Sequence, residues 1–135
     1  MDWTDGRALI GTGSPFEPAR VAGKTVPIAQ TNNSYVFPGL ALGIVASKAR
    51  RVTDTMIQAA AQELIRQLPT NDDKQAGLLP PIADARRLAR LIALAVGRRA
   101  IQDGCAQVTG EDALDLELQA NIWEPEYVPY ERPEG

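Results

Sequence analysis

Gln30-Thr31-Asn32-Asn33-Ser34-Tyr35-Val36-Phe37-Pro38-Gly39 sets two adjacent amides before an aromatic pair, a proline and a glycine. Gly39-Leu40-Ala41-Leu42-Gly43-Ile44-Val45-Ala46 follows at once, apolar and rich in small residues. Pro38 and Gly39 punctuate the chain, so a buried, closely packed helix is predicted over about Gly39 to Ala49. Its Gly39, Ala41, Gly43 and Ala46 let another backbone approach, which suits burial inside a larger body. Two readings of the amides stand side by side. Asn-Asn before Pro-Gly is ordinary turn chemistry. Each amide also carries one acceptor and two donors, and near a helix N-terminus backbone N–H groups favour a carboxylate or phosphate.

Upstream, Arg7-Ala8-Leu9-Ile10 is a short apolar run bounded by Gly6 and Gly11, the pattern of a buried parallel strand. It runs into Gly11-Thr12-Gly13-Ser14-Pro15. Ligands of open α/β sheets bind beyond the carboxyl ends of strands, where a Gly-rich turn can approach a dinucleotide. Pro15 and Pro18 forbid the immediate helix that a phosphate-binding fingerprint requires. Gly13 and Ser14 are therefore either a plain turn or a ligand contact. Thr25-Val26-Pro27-Ile28 reads as a second, edge-like extended piece.

Downstream the chain is helical. Arg50 and Arg51 are expected to close the first helix near the negative end of its dipole, with phosphate binding as the alternative. Thr53 is a good N-cap for a helix over about Asp54 to Gln67. There Ile57, Ala61, Leu64, Ile65 and Leu68 form one apolar stripe, expected to be core. Pro69 to Gly77 reads as a surface loop. Pro80-Pro81 introduces a long helix, about Ile82 to Asp103, stopped by Gly104. Leu88, Leu91, Ile92, Ala95 and Val96 form its buried face, with Arg86, Arg87 and Arg90 outside and Arg98 and Arg99 near its end. Thr109-Gly110 opens a last helix, about Glu111 to Ile122. Trp123, Tyr127 and Tyr130 then lie in a proline-rich tail that would stay ordered by docking on something.

The 135 residues amount to one domain or part of one. A basic helix without interleaved aromatics, in a chain of net charge −3, argues against nucleic acid. No apolar run is long enough for a membrane helix, and no leader-like segment begins the chain, so a cytoplasmic location is expected. Cys105, the single cysteine, fits a reducing compartment and reads as a small filler near a helix end rather than a nucleophile. The absence of histidine removes the commonest general base and His metal clusters. Residues 111–135 hold eight acids against Arg132 alone. This acidic end, beside a mildly basic remainder, points to intramolecular or subunit contacts, or to simple solvation.

Several strings together closely resemble the C-terminal part of malic enzymes of the bacterial NAD type. They are Gly11-Thr12-Gly13-Ser14-Pro15-Phe16, Lys24-Thr25-Val26-Pro27-Ile28-Ala29-Gln30, the Asn-Asn stretch through Gly39, Leu40-Ala41-Leu42-Gly43 and Arg51-Val52-Thr53-Asp54. The series continues through Leu78-Leu79-Pro80-Pro81 and Ile92-Ala93-Leu94-Ala95-Val96-Gly97 to Trp123-Glu124-Pro125-Glu126-Tyr127. Malolactic enzyme is a close relative.

The resemblance implies an α/β fold with a Rossmann-like NAD-binding domain, of which this chain is a mainly α-helical piece with one or two short strands. It implies oxidation of malate with NAD or NADP and decarboxylation to pyruvate with Mg²⁺ or Mn²⁺. It carries a malate-binding amide onto Asn33, with Asn32 the adjacent candidate, and makes Gly13 and Ser14 cofactor-side residues. Residues 1–32 would finish the nucleotide-binding domain, 33–122 would pack helices on the catalytic domain, and 123–135 would form an extended tail. The family's catalytic tyrosine and lysine, its metal-binding carboxylates and its dinucleotide glycines have no counterpart here. Lys24, Lys48 and Lys74 sit in no matching motif, so the chain alone is expected to be inactive. Expected partners are malate, the remainder of the malic enzyme polypeptide and further copies in a homo-oligomer. A stand-alone, non-catalytic helical interaction module is the alternative of a different class.

Overall fold

A computed structural model describes residues 2–4, 7–21, 23–71, 77–124, 126–127 and 129–130. Its first part holds four short strands: β1 (Ile10–Thr12), β2 (Ala19–Val21), β3 (Lys24–Val26) and β4 (Ile28–Gln30). Its second part holds four helices: α1 (Phe37–Ser47), α2 (Asp54–Arg66), α3 (Ala85–Gln102) and α4 (Glu111–Asn121). β1 and β4 pair in parallel with Ile10 opposite Ile28, Gly11 opposite Ala29 and Thr12 opposite Gln30. Between them β2 and β3 form an antiparallel hairpin turned at Gly23, whose φ of 77° suits glycine.

The strands depart from the sequence expectation in two places. The first strand is displaced to Ile10–Thr12 from the apolar run at Arg7–Ile10, and Leu9 is exposed. Gly11 is a strand residue rather than the start of a turn. A Cβ there would lie 2.4 Å from Thr31 Cγ2, so any larger residue would have to push the Thr31 side chain aside. The single extended piece over 25–28 is two strands in two different sheets. Pro27, with no N–H to give a ladder, stands between them.

The helices surround α3, which packs on α1, α2 and α4. α1 starts two residues earlier than expected because Pro38 is tolerated in a first turn, where no intrahelical N–H is needed. It stops at Ser47 with Lys48 in the left-handed conformation, φ 51°. Arg50 and Arg51 therefore lie beyond its end and do not close it. Buried Ser47 locks the junction, since its carbonyl accepts Gln107 N at 3.1 Å and Val108 N at 3.3 Å.

The small-residue face of α1 has its partner inside this chain. A Cβ on Gly39 would meet Ala89 O and Ile92 Cβ at 2.7 Å, and one on Gly43 would meet Ala93 O at 2.6 Å. α1 and α3 thus cross nearly backbone to backbone at these positions, while Ala41 lies outside and exposed. On α3, Leu88, Ile92 and Val96 are fully buried as expected, whereas Leu91 and Ala95 are only half-buried. Ala93 and Gly97 are buried too, because α4 covers a second side of α3, and Ala100 is buried on the side that holds Met56 and Cys105. α3 begins at Ala85 after a 3-10 turn over Ile82–Asp84, and Gly104, at φ 65°, follows its end.

α2 begins at the expected cap, Thr53, whose hydroxyl accepts Met56 N at 3.2 Å. Its buried face is displaced from the expected stripe. Met56 and Ala60 are fully buried against α3, Leu64 is partly buried, and Ile57, Ala61 and Ile65 are exposed. The stripe is real but looks outward, because α3 receives the helix on the adjoining face. Of the loop expected from Pro69 to Gly77, Pro69–Asn71 forms a 3-10 turn. Residues 72–76, Lys74 among them, lie outside the described residues.

Cys105 is buried and fills space beside Met56, its Sγ 3.8 Å from Met56 Sδ. Among the described residues the acidic end meets the basic body in three ion pairs: Glu111 with Arg98 at 2.6 Å, Glu124 with Arg86 at 2.9 Å, and Glu117 with Lys48. Trp123, Tyr127 and Tyr130 of the tail are exposed on this chain, and 125, 128 and 131–135 lie outside the described residues. Among the described residues no helix is long and apolar enough to cross a membrane.

Candidate functional site

The parallel β1–β4 pair brings two separate stretches to one end. Gly13-Ser14 leaves the carboxyl end of β1, and Thr31-Asn32-Asn33 leaves the carboxyl end of β4. Thr31 N donates to Thr12 O at 2.7 Å, extending the parallel ladder one step past the strands. The Gln30 amide reaches across to Gly13 O at 3.5 Å, a weak link between the two loops. Within the first loop the Thr12 hydroxyl donates to Ser14 O at 2.8 Å. A Cβ on Gly13 would enter open space, and both Gly13 and Ser14 are exposed. All four residues singled out from sequence thus lie at the carboxyl edge of one parallel pair, where open α/β folds bind ligands.

The two amides have different duties. Asn32 caps a 3-10 turn over Asn33–Tyr35, its Oδ1 accepting Ser34 N at 2.9 Å. Asn33 is exposed, and its side chain has no hydrogen-bond partner among the described residues. The turn closes with Tyr35 N on Asn32 O at 3.2 Å and Val36 N on Asn33 O at 3.0 Å, then runs straight into α1. No side chain caps the N-terminus of α1. The turn reading thus holds at Asn32, while Asn33 keeps an amide without a hydrogen-bond partner among the described residues just before α1.

Tyr35 anchors this turn. Its ring sits in the core with Leu88 and Ile92, and its hydroxyl donates to Pro80 O at 2.8 Å. Burial pushes the phenol above its ordinary pKa, so it stays protonated and donating. Sequence reasoning missed Tyr35, Gln30 and Thr12 as supports of the site. Tyr35 alone left a signal there, a hydroxyl on an aromatic within an otherwise apolar run, which must find a partner once buried.

Elsewhere, a groove of about 360 Å³ between α2 and α3 is lined by Gln58, Gln62 and Gln102 with Arg66, Arg98 and Arg99. Those arginines pair with Glu63, Glu111 and Asp103. Asp103 also accepts Thr53 Oγ1 at 2.7 Å and the Thr55 hydroxyl. The threonine hydroxyls, helped by Arg99, hold the Asp103 carboxyl below the usual carboxylate range. This cluster ties the start of α2 to the end of α3. Among the described residues no three histidine, cysteine or acidic side chains converge as a metal site.

Parallel strands whose carboxyl ends carry a glycine loop and an amide loop, followed by packed helices, define a piece of an open α/β nucleotide-binding fold. Residues 1–101 match the family model described as malic enzyme, NAD binding domain, and the chain belongs to that family. It is 48% identical over 132 residues to an NAD-dependent malic enzyme of Erwinia tasmaniensis. It is 48% identical to one of Pseudomonas syringae pv. syringae and 43% identical to one of Pseudomonas aeruginosa, each over 132 residues. Each match takes in 98% of this chain and 23% of the relative, so the chain spans about a quarter of their length.

Proposed function

We propose that this chain is the C-terminal portion of an NAD-dependent malic enzyme and supplies one substrate-side wall of its active site. Residues 1–32 complete the nucleotide-binding domain, residues 33–122 pack on the domain that holds the catalytic base, and 123–135 form an extended tail. The observation that carries this reading is the pairing of β1 with β4, which sets Gly13-Ser14 and Asn32-Asn33 side by side at the strand ends. The outward apolar face of α2 supports packing against a further domain.

In this reading Asn33 holds malate with its whole amide free, while Asn32 has its Oδ1 on Ser34 N and only its Nδ2 donors to offer. An amide there orients a carboxylate or hydroxyl by donating and accepting hydrogen bonds, which is positioning rather than proton transfer. Gly13 and Ser14 lie against the dinucleotide, NAD as in the relatives' names, and the missing Cβ at Gly13 leaves room for its approach. NAD, held beside Gly13 and Ser14, would supply the hydride acceptor, and a divalent ion, Mg²⁺ or Mn²⁺, would supply the Lewis acid for the decarboxylation. In this reading the ion is held mainly by residues outside this chain. The catalytic base and acid belong to the remainder of the polypeptide. The chain by itself is inactive, works in the cytoplasm as part of a homo-oligomer and binds no nucleic acid. The malolactic reaction draws no support from the relatives' names.

The test is a chimaera in which this chain replaces the matching 132 residues of the Erwinia tasmaniensis enzyme. Malate-dependent NADH formation by the chimaera, and none by the chain alone, is the expected result. A folded but inactive chimaera, or turnover by the chain alone, contradicts the proposal.

A further inference from the structure

We propose that Tyr35 is a positioning residue for the substrate amide, and that the Leu78–Pro80 segment is the strut it holds to. The inference rests on the assignment of malate binding to Asn33. Asn33 is exposed and its side chain makes no hydrogen bond among the described residues, so its place is set by the turn that carries it. That turn is fastened at one end by the Asn32 cap and at the other by Tyr35.

The Tyr35 hydroxyl crosses 45 residues of sequence to reach Pro80 O at 2.8 Å in a buried setting. Pro80 and Pro81 both have φ fixed by their rings, so the accepting carbonyl sits on stiff backbone. The same segment lies near β1: Leu78 Cδ2 stands 3.5 Å from where a Cβ on Gly11 would be. Residues 78–80 therefore hold the amide turn through a hydrogen bond while lying beside the strand that precedes the glycine loop. A phenylalanine at 35 would fill the same space in the core. The hydroxyl is what ties the turn to the strut, and a site group held about 1 Å out of place loses much of its effect.

The experiment uses the active chimaera with Tyr35→Phe and, separately, Asn33→Ala. Tyr35→Phe is expected to raise KM for malate about tenfold while kcat and KM for NAD hold, since a contact equal in ground and transition states shows in KM alone. Hydrogen exchange should quicken over residues 32–36 and stay unchanged in α2 and α3, which a general loss of stability would not produce. Unchanged malate KM in Tyr35→Phe, or exchange quickened throughout the helices, overturns the proposal. Unchanged malate KM in Asn33→Ala overturns the substrate assignment beneath it. An effect of Asn33→Ala without one of Tyr35→Phe leaves that assignment standing and removes the strut.

Discussion

Replacing Gly43 by alanine tests the α1–α3 crossing that carries the amide turn. The added Cβ would stand 2.6 Å from Ala93 O and 2.8 Å from Val96 Cβ. Ordinary contact begins near 3.4 Å, so α1 must lift from α3 by about 0.8 Å. The blocking atom is a helix carbonyl, which cannot rotate away as a side chain would. Overpacking of this kind costs about 1–3 kcal/mol, and alanine in a helix interior returns up to about 1 kcal/mol. The net loss is about 1–2 kcal/mol. With an unfolding entropy of about 2.1 cal/mol/K per residue, a chain of 135 residues should lose about 4–7 °C in Tm. Thermal unfolding followed by circular dichroism at helical wavelengths measures this. Gly97→Ala is the comparison, because the three atoms nearest its Cβ, Cδ1 at 2.6 Å first, all belong to the Leu114 side chain rather than to backbone, and a side chain can give more readily than a helix carbonyl. Equal effects from the two substitutions, or a gain in Tm with Gly43→Ala, would refute the backbone-to-backbone crossing.

Thr53→Ala removes both the α2 cap and a hydrogen bond to Asp103, and should cost about 1–2 kcal/mol in denaturant unfolding. Asp103 has a carboxyl pKa below its unfolded value, so it stabilises the fold above the unfolded pKa of about 3.9, and that contribution fades as pH falls. Acid titration of Asp103→Asn should accordingly show a shallower loss of stability below about pH 4 than the parent. Ile57→Glu and Ile65→Glu sit on the outward face of α2, 49% and 57% exposed. They should leave the Tm of the chain nearly unchanged but lower soluble, active chimaera; a chimaera indifferent to both would argue that no domain covers this face.

The fold was legible where local chemistry and packing agree. Thr53 announced α2, Pro80-Pro81 and Gly104 bracketed α3, and Gly39 and Gly43 announced a close helix crossing. Local pattern misled where the partner decides. Ile57, Ala61 and Ile65 form a regular stripe, yet Met56 and Ala60 face α3, since periodicity marks an apolar face without saying which element meets it. Leu9 is apolar but the strand begins at Ile10, the first residue with a partner in β4, and no local pattern records where that pairing starts.

The candidate site was visible as residue types in the right strings. Its construction was hidden, since the parallel register joins stretches 18 residues apart and the Tyr35–Pro80 bond spans 45. No short motif records either. The division of labour between Asn32 and Asn33 likewise needed the turn geometry, as two adjacent identical side chains cannot be ranked by composition.

The most direct measurement of the central claim is the malate KM of the chimaera carrying Asn33→Ala beside the one carrying Asn32→Ala. The Asn33 variant should show a rise of about tenfold or more in malate KM with NAD binding unchanged, and the Asn32 variant a smaller rise that follows from a loosened turn. A malate KM unmoved by Asn33→Ala would contradict the claim that this chain supplies a wall of the substrate site.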